Sequence, residues 1–83
     1  MYDVEFSQEA EKQLYKLGGY IQERIVLTLE RIRIRPFHFV KRLVGSPYYR
    51  LRVGNYRIIL DIKEDKLIIF MIELGHRRNV YNA

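Results

Sequence analysis

The chain has 83 residues, enough for one small domain but too few for separate cofactor and substrate domains. It contains no cysteine, which excludes a disulfide framework, a thiol nucleophile and a cysteine-ligated zinc site. Hydrophobic residues make up 48% and charged residues 30% of the sequence, a composition typical of a globular domain stabilised by packing alone. No apolar run approaches the roughly 18 residues of a membrane span and no secretion signal is recognised, so we expect a cytoplasmic protein with no membrane partner.

Positive charge is concentrated in the middle of the sequence. The formal net charge is +5, and residues 31–57 contain eight cations and no acid, whereas residues 1–30 contain six acids and three bases. Such a stretch repels itself unless a polyanion neutralises it, and arginine, which supplies seven of the eight cations, matches the geometry of phosphate oxygens. The pattern favours a nucleic-acid partner, although a solvated basic face or an acidic protein partner is also compatible with it. The eight cations are Arg31, Arg33, Arg35, Lys41, Arg42, Arg50, Arg52 and Arg57.

A strand and a helical hairpin are predicted for the first half of the chain. Apolar and acidic residues alternate over residues 2–6, which indicates a strand with one solvent-exposed face. Ser7 is the expected N-cap of a first helix, which Gly18-Gly19 should end. Isoleucine and leucine then repeat at spacings of four, four and three, which predicts a second helix that ends near residue 34, before Pro36.

Three further strands are predicted for the second half. Residues 36–47 hold both prolines and form a connection, in which residues 39–43 can make a short strand. Strands follow over residues 48–53, 56–62 and 67–74, joined by Gly54-Asn55 and by a polar turn at residues 63–66. The predicted fold is α+β in a single domain, residues 1–83: an N-terminal strand, a two-helix hairpin and an antiparallel β-meander, with the helices packed on one face of a single sheet.

The first predicted β-hairpin gives the sharpest functional signal. With Gly54-Asn55 as the turn, Arg52 lies opposite Arg57, and alternation puts Arg50 on the same face, with Tyr48, Ile59 and Asp61, while Leu51, Val53, Ile58, Leu60 and Ile62 face the core. Like charges directly opposite each other are destabilising, so packing does not explain the pair and a functional site is predicted. The alternative is that the arginine side chains extend apart into solvent, so that their repulsion destabilises the fold only slightly.

A second group of candidates follows the last strand, at Gly75-His76-Arg77-Arg78. A histidine beside two arginines on a loop can be catalytic or can be a surface residue, and Tyr81 can stack on a base or pack against the fold. We expect no metal and no cofactor, because the two histidines are far apart and no cysteine is present. Arginine, histidine and tyrosine suit metal-free cleavage of RNA, whose 2′-hydroxyl is an internal nucleophile.

Two segments, YRLRVGNYRII at residues 49–59 and GHRRNVY at residues 75–81, resemble the RelE/ParE toxin superfamily in its RelE branch. The resemblance covers nearly the whole chain, which is similar to archaeal RelE proteins in its shortness. It implies the toxin of a type II toxin–antitoxin system: an endoribonuclease that cleaves mRNA in the ribosomal A site by 2′-hydroxyl attack on the scissile phosphate and so inhibits translation. It also implies a cognate RelB-like antitoxin, bound in a heterodimer or heterotetramer, with the ribosome and mRNA as the other partners.

The resemblance assigns roles to five residues. It places Arg50 and Arg52 at the scissile phosphate and gives Arg57 a phosphate contact. Arg77 matches an arginine that stabilises transition-state charge, and Tyr81 matches a tyrosine that stacks on or orients the base beside the cut. Further RNA contacts are expected from five other basic residues of the central stretch and the tail, namely Arg31, Arg35, Lys41, Arg42 and Arg78.

The proton acceptor stays open. Some relatives have lysines where this chain has Arg50 and Arg52, and an arginine, which stays protonated near neutral pH, is a poor general base. His76 is the natural candidate in its place, since neighbouring arginines favour a neutral imidazole. The alternative is that the protein relies on positioning alone, with a weak base or with ribosomal groups that complete the site. Two other functions are kept open: a ParE-like toxin that inhibits DNA gyrase, and a non-catalytic RNA-binding module.

Overall fold

Two helices pack on one face of a five-stranded mixed sheet, which confirms the predicted fold class. The computed structural model of the chain describes residues 1–76. The strand order is β1-β5-β4-β3-β2, in which β1 pairs with β5 in parallel and the other neighbours are antiparallel. The elements are β1 (Asp3–Phe6), α1 (Gln8–Tyr15), α2 (Gly19–Arg31), a 3-10 helix (Pro36–His38), β2 (Lys41–Arg42), β3 (Tyr49–Val53), β4 (Tyr56–Lys63) and β5 (Ile68–His76).

The core lies between the helices and the sheet. The apolar stripe of α2 supplies Ile25 and Leu29, and the C-cap residue of α2 is Ile32; each of these three is at most 1% exposed, and α1 supplies Ala10 and Leu14. Each large side chain buried in this way contributes roughly 1.5–3 kcal/mol relative to an exposed one. No helix in residues 1–76 is long and apolar enough to cross a membrane. The sheet completes the core with Leu51, Val53, Ile58, Leu60, Ile62, Ile69, Met71 and Leu74.

Ser7 joins the start of α1 to the sheet. Its hydroxyl accepts a hydrogen bond from the Ala10 N–H at 3.0 Å, which confirms the predicted N-cap. The same hydroxyl donates to the Ile72 carbonyl of β5 at 2.6 Å. One side chain therefore satisfies a free N–H of the helix and fixes the helix against the central part of the sheet.

The break between the helices differs from the prediction. α1 ends at Tyr15, and Gly18 is the N-cap of α2, with φ −63°, instead of the left-handed residue that ends α1. The Gln22 side-chain amide donates to the Leu17 carbonyl at 2.9 Å and so gives a hydrogen-bond partner to a carbonyl in the break between the helices. Gly18-Gly19 therefore begins the second helix more than it ends the first.

α2 also ends earlier than predicted, at Arg31 instead of near residue 34. Arg33 explains the difference, because its Nε donates to the Tyr2 carbonyl at 2.7 Å and its guanidinium pairs with Glu30 at 2.9 Å and Asp3 at 3.5 Å. These contacts draw the chain out of the helix and against β1. Arg33 is therefore neutralised by acids outside the basic stretch and has a structural role.

The β3–β4 hairpin has the predicted turn and register. Val53 pairs with Tyr56, and Gly54 has φ 58° while Asn55 does not have a positive φ, the pattern of a type II′ turn. The short strand predicted within residues 39–43 is present as β2, which pairs only with Tyr49 and Arg50. The edge of β3 from Leu51 onward is therefore not covered by β2.

An irregularity in β5 was not predicted. Ile59 of β4 pairs with Glu73, but the next residue of β4, Leu60, pairs with Met71, so Ile72 is an extra residue on β5. Such a β-bulge shifts the alternation of side chains beyond it by one residue. Leu74 lies beyond the part of β5 that pairs with β1, and its N–H donates to the Gln13 side-chain oxygen at 2.7 Å and not to a strand.

Candidate functional site

The sheet face that points away from the helices carries a group of cations on three neighbouring strands. Arg52 lies opposite Arg57, as predicted, and Lys41 of β2 lies opposite Arg50. Directly paired residues share a face, and Arg50 and Arg52 are two residues apart on one strand, so all four side chains project from the same side. We name Lys41, Arg50, Arg52 and Arg57 the basic face.

A buried isoleucine lies between these cations. Ile59 shares the basic face but is only 6% exposed, and its cross-strand neighbours are Arg50 on one side and Glu73 on the other. Long charged side chains cover apolar surface with their methylene groups while their charged ends stay in water. The floor of the site is therefore apolar and its rim is charged, which strengthens electrostatic interactions with a bound anion.

Three of the four cations of the basic face have no acid paired with them in residues 1–76. Within residues 1–76, no carboxylate oxygen lies within 4.0 Å of a side-chain nitrogen of Lys41, Arg50 or Arg52. The Arg52 Nε donates to the Gly54 carbonyl at 3.4 Å, a weak contact that leaves the other guanidinium donors available. Like charges held in this way on paired strands favour an anionic ligand that bridges them.

β5 adds Glu73 to this face, a residue that sequence reasoning missed, and places Gly75 there as well. Because of the bulge at Ile72, Leu74 points into the core and its neighbours Glu73 and Gly75 point to the basic face. Gly75 is directly opposite Arg57 and contributes no side chain there. Residues 67–72 are all apolar, so they show no alternation from which the register could be read.

His76 lies on the other face of the sheet. It is the cross-strand partner of Tyr56, which packs against the core, and the two rings meet edge to face with centroids 5.8 Å apart. The structure therefore does not bring His76 together with Arg50, Arg52 and Arg57. The other tail candidates, Arg77, Arg78 and Tyr81, lie outside the described residues.

The remaining predicted RNA-binding residues are spread over different surfaces. Lys41 belongs to the basic face, whereas Arg42 lies on the helix side of the edge strand, with its guanidinium carbon 5.8 Å from the centroid of the Tyr49 ring. Arg35 is exposed in the connection after α2, and Arg31 is exposed at the end of α2. Cations that lie close together in the sequence are therefore distributed over at least two surfaces of the fold.

Arg31 borders a cleft of about 500 Å³ between α2 and the uncovered edge of β3. The cleft combines cations with exposed apolar side chains, including Leu27 at 56% and Phe39 at 48% exposure. In the part of the chain that the structure describes, no three His, Cys, Asp or Glu side chains come together as metal ligands would. The cleft is lined by Arg24, Leu27, Thr28, Arg31, Phe39, Leu51, Arg52, Val53 and Gly54.

The sequence and the fold are both similar to known toxins. The family model for the ParE toxin of the type II toxin–antitoxin system parDE matches residues 4–81. Toxin RelE3 of Methanocaldococcus jannaschii is 32% identical over 85 residues, which cover 95% of this chain and 94% of the relative. The mRNA interferase toxin RelE of Escherichia coli (strain K12) is 28% identical over 79 residues, covering 92% and 83%.

The fold is also similar to a toxin solved in complex with its antitoxin. A chain in the crystal structure of the intact E. coli RelBE toxin–antitoxin complex superposes with a TM-score of 0.80 at 25% identity, covering 92% of this chain and 96% of that one. The family match spans β1 to β5, including the β3–β4 hairpin that carries the paired arginines. The chain therefore belongs to the RelE/ParE superfamily of type II toxin–antitoxin toxins, with curated relatives that are named RelE.

Proposed function

We propose that this toxin is an mRNA interferase, a metal-independent endoribonuclease that cleaves mRNA in the ribosomal A site in the cytoplasm and so inhibits translation. The observation that carries the proposal is the position of Arg50, Arg52 and Arg57 on one open sheet face without a carboxylate beside Arg50 or Arg52 in residues 1–76. The E. coli relative named mRNA interferase toxin RelE supports the same activity.

The basic face would act on one phosphodiester of the message. The 2′-oxygen of the ribose attacks phosphorus, the bond to the 5′-oxygen breaks, and negative charge builds up on the phosphoryl oxygens between these events. Arginines fixed on a rigid strand pair stabilise this charge without reorganisation, and one well-placed donor is typically worth about 100- to 1,000-fold in rate. We assign Arg50, Arg52 and Arg57 to this task.

Two residues of the tail complete the proposed site. Arg77 follows β5 and is assigned as a donor to charge that develops in the transition state, and Tyr81 is assigned to stacking on the base beside the cut. Loss of a transition-state donor lowers the rate at saturation, whereas loss of a ground-state phosphate contact weakens binding. Arg77→Ala should therefore reduce single-turnover cleavage more than RNA affinity.

A RelB-like antitoxin is the proposed protein partner, since the E. coli toxin with this fold was solved in a RelBE complex. The cleft between α2 and β3 supports such a contact, because it joins the cations Arg24, Arg31 and Arg52 to exposed Leu27 and to an uncovered strand edge. These features suit a segment that combines acidic and apolar side chains. A complex in which neither this cleft nor the basic face is contacted would contradict the assignment.

The experiment that tests the activity maps the cut ends of a defined mRNA by primer extension. The purified toxin is incubated with the mRNA alone and with ribosomes programmed by that mRNA. We expect cuts within A-site codons only when ribosomes are present. Binding of mRNA without any cleavage under either condition would refute the enzyme and favour a non-catalytic RNA-binding module.

A second candidate function follows from the family match itself. The matching model describes ParE toxins, so a ParE-like inhibitor of DNA gyrase is the alternative. A supercoiling assay with purified gyrase distinguishes the two, because a RelE-like toxin should leave supercoiling unchanged at concentrations that cleave ribosome-bound mRNA. Inhibition of gyrase without mRNA cleavage would favour the alternative.

A further inference from the structure

The basic face supplies cations but needs a proton acceptor for the 2′-hydroxyl. Arginine stays protonated at neutral pH, so none of the three arginines can serve as a general base. His76 is the partner of Tyr56 on the opposite side of the sheet. The carboxylates on the basic side of β3, β4 and β5 within residues 1–76 are Asp61 and Glu73.

The strand register places these two carboxylates at different distances from Arg57. Glu73 is opposite Ile59, and Arg57 lies two residues away from Ile59 on β4, so Glu73 is the diagonal neighbour of Arg57. Asp61 is four residues from Arg57 along β4, about 13 Å between Cα atoms, and its carboxylate pairs with the Lys63 ammonium at 3.1 Å. Glu73 is therefore the carboxylate beside the central arginine.

Glu73 and Arg50 also lie on either side of the buried Ile59. Two strand spacings separate their Cα atoms, about 10 Å, a gap that an arginine and a glutamate side chain can span around one phosphate and its ribose. No ion pair within 4.0 Å ties the Glu73 carboxylate to another part of residues 1–76. Its oxygens can therefore accept a hydrogen bond from a bound ribose.

We propose that Glu73 is the general base of this toxin, an inference that rests on the proposed ribonuclease function. A carboxylate oxygen takes the proton of the 2′-hydroxyl as the bond from the 2′-oxygen to phosphorus forms. The bond from phosphorus to the 5′-oxygen breaks, and the leaving oxygen takes a proton from water. The products are a 2′,3′-cyclic phosphate and a free 5′-hydroxyl, and Glu73 releases its proton to solvent.

Replacement of the carboxylate by an amide separates this role from a purely electrostatic one. Glu73→Gln keeps the shape of the side chain but removes the base, and general base catalysis typically contributes about 100- to 10,000-fold. It also removes a negative charge from a phosphate-binding face, so mRNA should bind equally well or more tightly. We expect a loss of at least 100-fold in single-turnover rate at saturating toxin, without weaker binding.

Three further variants complete the experiment. Asp61→Asn makes the same chemical change on the same face and should stay within threefold of the wild-type rate, as should His76→Ala. Glu73→Asp retains a carboxylate at a shorter reach and should be intermediate. Melting temperatures of all variants verify that they fold.

The outcomes distinguish this inference from the function on which it rests. A wild-type toxin that cleaves no ribosome-bound mRNA refutes the proposed function and the inference together. An active wild type with Glu73→Gln cleaving at a similar rate refutes the inference alone. Loss of activity in His76→Ala with retention in Glu73→Gln would assign the base to His76 instead.

Discussion

Removal of one charge from the Arg52–Arg57 pair should stabilise the fold while it weakens the function. Arg52 and Arg57 are direct cross-strand partners, and no carboxylate in residues 1–76 lies within 4.0 Å of Arg52. Two unit charges repel by roughly 0.6 kcal/mol in water at a separation of about 7 Å, which is similar in size to the ~0.2–1 kcal/mol that opposite cross-strand charges contribute. Arg52→Gln should therefore raise the free energy of unfolding by about 0.5 kcal/mol at low salt.

The assay is thermal unfolding at low and high ionic strength, with RNA binding measured on the same samples. A gain of about 0.5 kcal/mol corresponds to roughly 2–4 °C in Tm for a domain of this size. The gain should disappear at about 1 M salt, where the Debye length is only about 3 Å. In parallel, RNA affinity should fall and its dependence on the logarithm of salt concentration should decrease by about one.

The control is Lys66→Gln, which removes a cation from the exposed turn between β4 and β5. Lys66 follows Glu64 and Asp65 in sequence, so this change should not stabilise the protein. A lower Tm of Arg52→Gln at low salt, or the same effect on Tm at both ionic strengths, would contradict repulsion between the two arginines. Either result would mean that the paired arginines are not under electrostatic strain.

Three further predictions concern stability and are checked by urea unfolding. Leu29 is 1% exposed, so Leu29→Ala should lower the free energy of unfolding by about 2–5 kcal/mol. Leu27 is 56% exposed, so Leu27→Ala should lower it by less than about 1 kcal/mol. Equal losses in the two variants would contradict the core described above. Ser7→Ala should cost about 1–2 kcal/mol because it removes the helix N-cap and the bond to β5, and a neutral effect would contradict this joint role. Leu67 has φ 54°, a backbone conformation that is strained for a residue with a side chain, so Leu67→Gly should stabilise the protein by up to about 1 kcal/mol. A loss of stability would show that the contacts of the Leu67 side chain stabilise the fold more than the backbone strain destabilises it.

The register of the arginine hairpin could be predicted because a local signal determines it. A two-residue Gly-Asn turn allows one pairing of the flanking strands, and alternation of Leu51 and Val53 with arginine then identifies the outer face. No distant contact is needed for this conclusion. The position of Arg52 opposite Arg57 was therefore accessible from the sequence alone.

The contribution of β5 could not be predicted, because its register depends on packing. The uninterrupted apolar run before Glu73 contains no alternation, and the bulge at Ile72 changes which residues face the core. As a result, Glu73 was missed and His76 was expected near the arginines, whereas the structure puts it beside Tyr56. Likewise, the end of α2 depends on contacts of Arg33 with β1 that are distant in sequence.

The most direct test of the central claim is the single-turnover cleavage rate of ribosome-bound mRNA at saturating toxin for an Arg52→Ala, Arg57→Ala double variant. The control is a Lys12→Ala, Lys16→Ala double variant, which removes the same charge from two exposed positions, one in α1 and one at its C-cap. If the basic face stabilises the transition state, the arginine variant should lose at least about 1,000-fold in rate and the lysine variant should stay within threefold. Equal rates for the two double variants would contradict the claim that this face carries out the reaction.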